Sequence, residues 1–495
     1  MKKNNRFLLA LLAGGLVFGS CNKELQRVNQ NPNNLEHPDP TTMLSNTIVA
    51  EFYNNASIVW TLGNGYDQYM TFSQSYYDAP TRYQPVSNEP YWIPMYEAAR
   101  DANTLYTLGQ TNANPVLQAA ALTLRSYAFA QLTELWGDIP FSEALQGNTG
   151  KYTPKYDSQQ TVYTDPQSGI LASLRRADSI LKANSAGALS GDMLFSGNAT
   201  SWRRFINALR LRYLLRVSSK MNVAAEMQSI VTDGTIMQSA SQSGTLALPS
   251  TTPYNFVSIT ERSGDFNVKF MDSTLYSAFV TTADTARIKT FFAVNANNAA
   301  ATTFNFSNYG GMPLVTDATA AQVASSSNFV PGFNNLSNPL TALTKARIMT
   351  YAEQQFVLAE AAEKGYITGN AATYYYSGIA GAYAEIGLSA ANATSYSAGA
   401  NVVYNTTSAT AALQQIITQK WISNINNGFE GWIEYRRTGF PVFATGGSVN
   451  LNGGVIPTRF LYPTSEQTIN SINYNTEVQT MGGKETTTYK AWWEK

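Results

Sequence analysis

The chain has 495 residues, 33 basic and 33 acidic, and only 13% of its positions are charged, so it lacks the basic surface that nucleic-acid binding requires. A single cysteine excludes an internal disulfide framework, and a large apolar core has to stabilise the fold instead. The lone histidine, His37, lies in a polar N-terminal stretch, which leaves the body without a histidine for a catalytic triad or a metal cluster.

Residues 1–21 begin with Lys2, Lys3 and Arg6, run through apolar and glycine positions from Phe7 to Phe18, and reach Cys21 after Gly19 and Ser20. This is the layout of a secretory signal, and the apolar run is shorter than the about 20 residues that a spanning helix needs. A lone cysteine at the cleavage point marks the chain as a bacterial lipoprotein: a signal over 1–20, then acylation of Cys21 as the new N-terminus. The rest of 21–40 is rich in asparagine and contains proline, and it is predicted to be a lipidated polar tether. Fully extended, it reaches about 60 Å at ~3.3 Å per residue. A single body is expected over 41–495.

Helical patterning dominates that body. Leu117, Ala121, Leu124, Ala128, Leu132 and Leu135 recur at spacings of three and four, with Gly137 and Pro140 ending the run. Helices are also predicted over 169–181, 202–217, 351–364, 371–386 and 411–424. Glu353, Glu360 and Glu363 share a helix face, where an internal ion-pair set is the expectation. Paired antiparallel helices of this length predict a mostly α, tetratricopeptide-like scaffold over 41–238 and 342–440, without a strict 34-residue repeat. The stretch 239–341 is rich in Ser, Thr, Asn, Ala and Gly, and is expected to be a loop-rich insertion with short strands. Loops are expected again over 441–495.

The stretch 60–92 concentrates aromatic side chains among amides and charges. Pro80, Pro85 and Pro90 are expected to keep it out of a helix, so that its rings do not share one buried stripe. The candidate ligand-binding residues are therefore Tyr76, Tyr77, Tyr83, Tyr91 and Trp92 as stacking rings, with Asp78, Arg82 and Asn88 as hydrogen-bonding groups. At least two of these rings are expected to face a ligand, which suits the apolar face and hydroxyls of a sugar or equally a peptide. The segment from Phe304 to Tyr309 is the second choice. No zinc spacing, phosphate-binding glycine loop or nucleotide fingerprint is present, so no cofactor, no metal and no catalysis are expected.

Several motifs, taken together, resemble the SusD/RagB family of outer-membrane nutrient-binding lipoproteins, in its SusD-like branch. They are NPNN at 31–34, RSYAFAQLTELWGDIP at 125–140, PKYD at 154–157, WRRFINALRLR at 202–212 and AEQQFVLAEAAEKG at 352–365. Toward the C-terminus follow QKW at 419–421, RRTGFP at 436–441, IP at 456–457, RFLYP at 459–463 and Asn470. One departure is DTAR at 284–287, where such proteins often carry Asp-Pro-Arg. The resemblance implies a cell-surface protein that captures an oligomeric glycan or peptide and passes it to a TonB-dependent, SusC-like barrel. It also implies an outward-facing body held to the outer membrane by lipid alone. From the residues themselves, Arg125, Trp136, Trp202, Arg212 and Trp421 are expected to be structural. A protein that uses its helical repeats only to dock a partner remains the alternative.

Overall fold

In the computed structural model, the structure describes residues 39–184 and 189–494. Cys21, His37 and the greater part of the expected tether lie outside the described residues. The first helix, α1 (Pro40–Ile58), starts where Asp39 accepts the Thr42 amide at 3.0 Å, with Pro40 at the first helical position. Pro40 thus belongs to the body and not to the tether. α1 runs on through a π-turn, Val59–Gly63, into the aromatic stretch.

Two long helices follow, α2 (Glu89–Thr111) and α3 (Pro115–Trp136), packed along each other. Asn114 caps α3 by accepting the Leu117 amide at 3.0 Å, and Gly137 ends it at a φ of 85° that a side chain would oppose. α4 (Ile170–Ala183) lies against both α3 and α5 (Ala199–Val217). After a short α6 (Ala224–Asp233), the middle segment carries α7 (Ser273–Thr282) and α8 (Thr285–Phe291) among its loops. The second tight pair is α9 (Tyr351–Glu363) with α10 (Ala371–Glu385), followed by α11 (Ala390–Ser397), α12 (Ala409–Ser423) and α13 (Glu430–Thr438). The segment expected to be C-terminal loops also holds a short helix, Thr464–Ile469, and α14 (Ser471–Thr480).

Among the described residues, sheet structure consists of three short antiparallel pairs and three isolated bridges. β1 (Met70–Phe72) pairs with β5 (Lys269–Met271), with Met70 opposite Met271. β2 (Ile139–Pro140) pairs with β3 (Tyr156–Asp157), and β4 (Gly244–Leu246) pairs with β6 (Ala346–Met349). The first and third pairs tie the middle segment to the helices. The segment from Phe304 to Tyr309, the second-choice binding segment, forms a 3-10 turn at Phe306–Asn308.

Seven tryptophans, Trp60, Trp92, Trp136, Trp202, Trp421, Trp432 and Trp493, are buried in the core of the described residues. Several send the indole N–H to a partner across the fold, such as Trp421 to the Asp67 carbonyl at 2.8 Å and Trp136 to the Leu461 carbonyl at 2.9 Å. Beside them lies a buried ion network. Arg216 on α5 reaches Glu134 on α3 and both Glu430 and Glu434 on α13, each at 2.7 Å. Arg212 chelates Glu353, with its shorter contact at 2.6 Å, while Arg437 takes Glu360 at 2.6 Å and Glu434 at 2.5 Å. The expected ion-pair face of α9 is therefore real for Glu353 and Glu360, whereas Glu363 accepts the Tyr404 hydroxyl at 2.6 Å. The altered DTAR turn keeps its two charged ends together: Asp284 pairs with Arg287, whose guanidinium lies 5.1 Å from the Tyr383 ring centre and 4.9 Å from that of Tyr396.

Asp272, at the start of α7, accepts the Thr274 amide at 2.7 Å through one oxygen, while its other oxygen is buried without a partner. Burial, opposed by the bonds from Thr274, pushes this carboxyl up to about 7. Because the folded value lies above the usual carboxylate range, its contribution to stability is intact at acid pH and is lost as the pH rises through that value. Asp272→Asn keeps the cap and removes the charge. Chemical denaturation is expected to show the variant about 1–3 kcal/mol more stable than the parent near pH 8, with the gap closed near pH 4.

Candidate ligand-binding surface

The aromatic stretch divides into core and surface. Tyr83, Tyr91 and Trp92 are buried, which corrects the expectation that they present open rings. Pro90 does not keep this region out of a helix. It sits in the first turn of α2, where its missing N–H has no intrahelical acceptor to lose, so Tyr91 and Trp92 are helix residues packed inward. Tyr83 turns inward at a φ of 56°, lies edge-on to Tyr66 at 5.6 Å, and accepts a bond from Gln68 Nε2 at 2.7 Å. Burial pushes the phenols of Tyr83 and Tyr91 well up, so they stay neutral.

The expected hydrogen-bonding groups also turn to the protein. Asp78 is buried; desolvation raises its carboxyl, and Arg82 at 3.4 Å offsets part of that rise. Arg82 Nε donates to the Val449 carbonyl at 2.9 Å and so fastens one loop to another. Asn88 sits half-buried at a φ of 49° where the chain enters α2, its amide nitrogen buried without a partner.

Tyr76 and Tyr77 are different. The Tyr76 side chain is 86% exposed, the largest value among the exposed apolar and aromatic residues of the described chain. It stands edge-on to the half-buried Tyr77 at 4.9 Å, and Tyr77 stacks on Phe72 at 6.3 Å with its ring 17° from parallel. The loop that carries them is fixed from three sides. Ser73 donates to the Val268 carbonyl at 3.0 Å, Ser75 donates to Asp317 at 2.9 Å, and Leu451 donates to the Arg82 carbonyl at 2.7 Å. An exposed ring on a pinned loop loses little conformational freedom when it stacks.

Charged partners come from distant parts of the chain. The Tyr77 hydroxyl donates to Asp265, and that bond pushes the phenol up. Asp265 is held below its usual value first by the Arg262 guanidinium and then by Tyr77. Arg262, itself exposed, grips Asp265 with contacts of 2.7 and 3.1 Å. Arg262, Asp265 and Asp317 had no local signal in the sequence, because only the fold brings them beside Tyr76. The second-choice segment offers Phe304 at 38% exposure, with Lys289 Nζ 5.4 Å from its ring centre, while Tyr309 is buried.

A cleft of about 760 Å³ opens elsewhere, between α2 and the segment 140–154. Among the described residues, no group of three or more His, Cys, Asp or Glu is placed to hold a metal ion, and no helix is long and apolar enough to cross a membrane.

Residues 32–463 match the SusD-like family profile described as starch-binding, associating with the outer membrane. The chain is similar to a crystal structure of a SusD homologue from Bacteroides fragilis, with 26% identity, a TM-score of 0.80, and coverage of 93% of this chain and 100% of that one. A SusD homologue from Bacteroides uniformis shares the fold at 20% identity and a TM-score of 0.75, over 92% of this chain and 98% of that one. A chitin-binding SusD homologue from Flavobacterium johnsoniae does so at 21% identity and a TM-score of 0.71, over 91% and 98% of the two chains. Comparison with curated proteins gives no match.

Proposed function

Since this chain belongs to the SusD-like family, whose members are described as starch-binding and associating with the outer membrane, we propose that it captures an oligomeric nutrient at the cell surface, a glycan by preference. The observation that carries the reading is the exposed Tyr76 beside Tyr77, on a loop pinned to other segments, with Asp317 bonded to Ser75 and the Arg262–Asp265 pair bonded to Tyr77. A flat ring suits the C–H face of a pyranose, and the polar groups around it suit the hydroxyls. The chitin-binding relative from Flavobacterium supports a glycan over a peptide. Capture is non-catalytic in this reading, and the cargo passes to a SusC-like TonB-dependent barrel that the protein covers as a lid. Titration of the purified protein with neutral glycans and with peptides tests the reading. Saturable binding to a glycan supports it, and release of reducing ends or free amines from the same panel refutes it in favour of an enzyme.

The anchor belongs to the same proposal. Cys21, acylated, holds the body to the outer membrane facing outward. Fractionation of cells carrying Cys21→Ala is expected to place the protein in the soluble periplasmic fraction. Full retention in the membrane fraction, with the barrel gene deleted as well, would contradict lipid anchoring through Cys21.

A further inference from the structure

The cleft between α2 and the segment 140–154 is built from different residues than the surface around Tyr76, and its chemistry is specific. Its volume of about 760 Å³ lies within the range of roughly 300–1,000 Å³ typical of small-ligand sites. One wall is apolar: Ile93 is 45% exposed on α2, and Tyr152 is 74% exposed on the facing segment. Tyr152 lies near the 3-10 turn Gly147–Thr149, since a Cβ added at Gly147 would be 3.8 Å from its ring. Tyr96, lower in the cleft, is fixed by its hydroxyl, which donates to the Pro140 carbonyl at 2.8 Å. An open ring with fixed surroundings offers a stacking face.

The α2 wall continues with neutral polar side chains one turn apart. Thr104 donates its hydroxyl proton to the Arg100 carbonyl at 3.1 Å, and Thr107 donates to the Asn103 carbonyl at 3.3 Å. Both hydroxyl oxygens are therefore left as acceptors toward the cleft. Asn103 is set the opposite way: its Oδ1 accepts from Arg125 at 2.8 Å, which leaves its amide nitrogen to donate. Acceptors alternating with a donor match vicinal hydroxyls, each of which gives and takes a bond.

The charges at the rim are largely spent within the protein. Arg100 pairs with Asp101 at 2.9 Å and Lys151 with Glu143 at 3.1 Å. Glu466 accepts from Tyr156 at 2.7 Å and from Asn470 at 3.0 Å. Glu97 and Glu466 are the lining charges without an ion pair among the described residues, and two carboxylates without a cation disfavour an anionic ligand.

We propose that this cleft is a second binding site, distinct from the surface around Tyr76, and that it takes a neutral oligosaccharide, stacked on Tyr152 and hydrogen-bonded by Asn103, Thr104 and Thr107. The test uses the full mature protein with Tyr76→Ala, which disables the first surface. It is titrated with maltohexaose, mannohexaose, xylohexaose and N-acetylchitohexaose, and with neutral and acidic hexapeptides. At least one of the sugars is expected to bind, and adding Tyr152→Ala is expected to weaken it about tenfold or more. Thr104→Val with Thr107→Val, which keeps side-chain size, is expected to weaken it as well. The two readings separate cleanly. If Tyr76→Ala alone leaves all sugar binding intact and Tyr152→Ala removes it, the cleft stands and the first surface does not. The cleft proposal is overturned if Tyr76→Ala abolishes binding of every sugar, if neither cleft variant changes any sugar affinity, or if the cleft variants affect only peptides.

Discussion

Arg216→Met is expected to cost about 3–5 kcal/mol of folding stability, because it leaves buried carboxylates without their counter-charge. Arg216 is completely buried and contacts Glu134, Glu430 and Glu434 at once. Burial alone would lower the pKa of its guanidinium, but the three carboxylates outweigh burial and raise it well above the usual value. The wider set holds five basic groups, Arg212, Arg216, Lys364, Lys420 and Arg437, against five glutamates at 134, 353, 360, 430 and 434. Within that set Arg216 is the member that meets carboxylates on two other helices at once, so its deletion uncovers charge on both. Arg216→Lys keeps the charge but supplies one ammonium where a planar fork met three partners, so an intermediate loss is expected. Urea-denaturation midpoints measure the series, and a loss below about 1 kcal/mol for Arg216→Met would show that the network contributes little.

The carboxyls of the same network divide: burial raises Glu134 and Glu353 despite their arginines, while Glu360 and Glu434 are depressed. Burial raises the Glu360 carboxyl, yet Arg437 and Lys364 outweigh that and hold it at about 2. Its folded value is below the free one, so its stabilisation is present above the free value and is lost as the pH falls toward 2. Glu434 is depressed further, against its burial, by Arg437, Lys420 and Arg216. Asp272 acts in the opposite direction across neutral pH, since burial raises it.

How far the fold could be read from the chain depended on whether a signal was local. The spacing from Leu117 to Leu135 and the apolar run of 202–217 reflect nearest-turn geometry, and both became helices with a turn or less added. α2 is absent from the sequence reading because Pro90 marks an irregular stretch when counted as a residue, while its position in the first turn of the helix decides what it does. Within the aromatic stretch, side-chain type is local but burial is a property of the assembled fold. Tyr83 and Tyr76 have the same chemistry, and only packing on Tyr66 and Gln68 separates a core ring from a surface ring. The groups beside Tyr76 were unreadable for the same reason: Asp265 and Asp317 are brought to the loop by β1–β5 pairing and by the bond from Ser75. Glu353 and Glu360 were recognised as a helix face, whereas Arg212 and Arg437 reach them only after helices far apart in sequence have packed.

Tyr76→Ala is expected to weaken glycan binding by about 1–3 kcal/mol, the cost of removing an exposed aromatic anchor from an interface. The fold should not change, because the ring is 86% exposed and its one ring contact is the edge-on approach to Tyr77. Tyr77→Phe should give a smaller loss, since it keeps the ring and removes only the bond to Asp265. Trp92, although in the same stretch, is buried against Trp136 at 5.1 Å, so its loss is a matter of stability. Calorimetric titration of the parent and Tyr76→Ala proteins with one oligosaccharide that the parent binds, alongside their thermal unfolding, tests the capture surface most directly. The expected result is an affinity lower by about five- to 150-fold at an unchanged melting temperature. An affinity equal to that of the parent would contradict it.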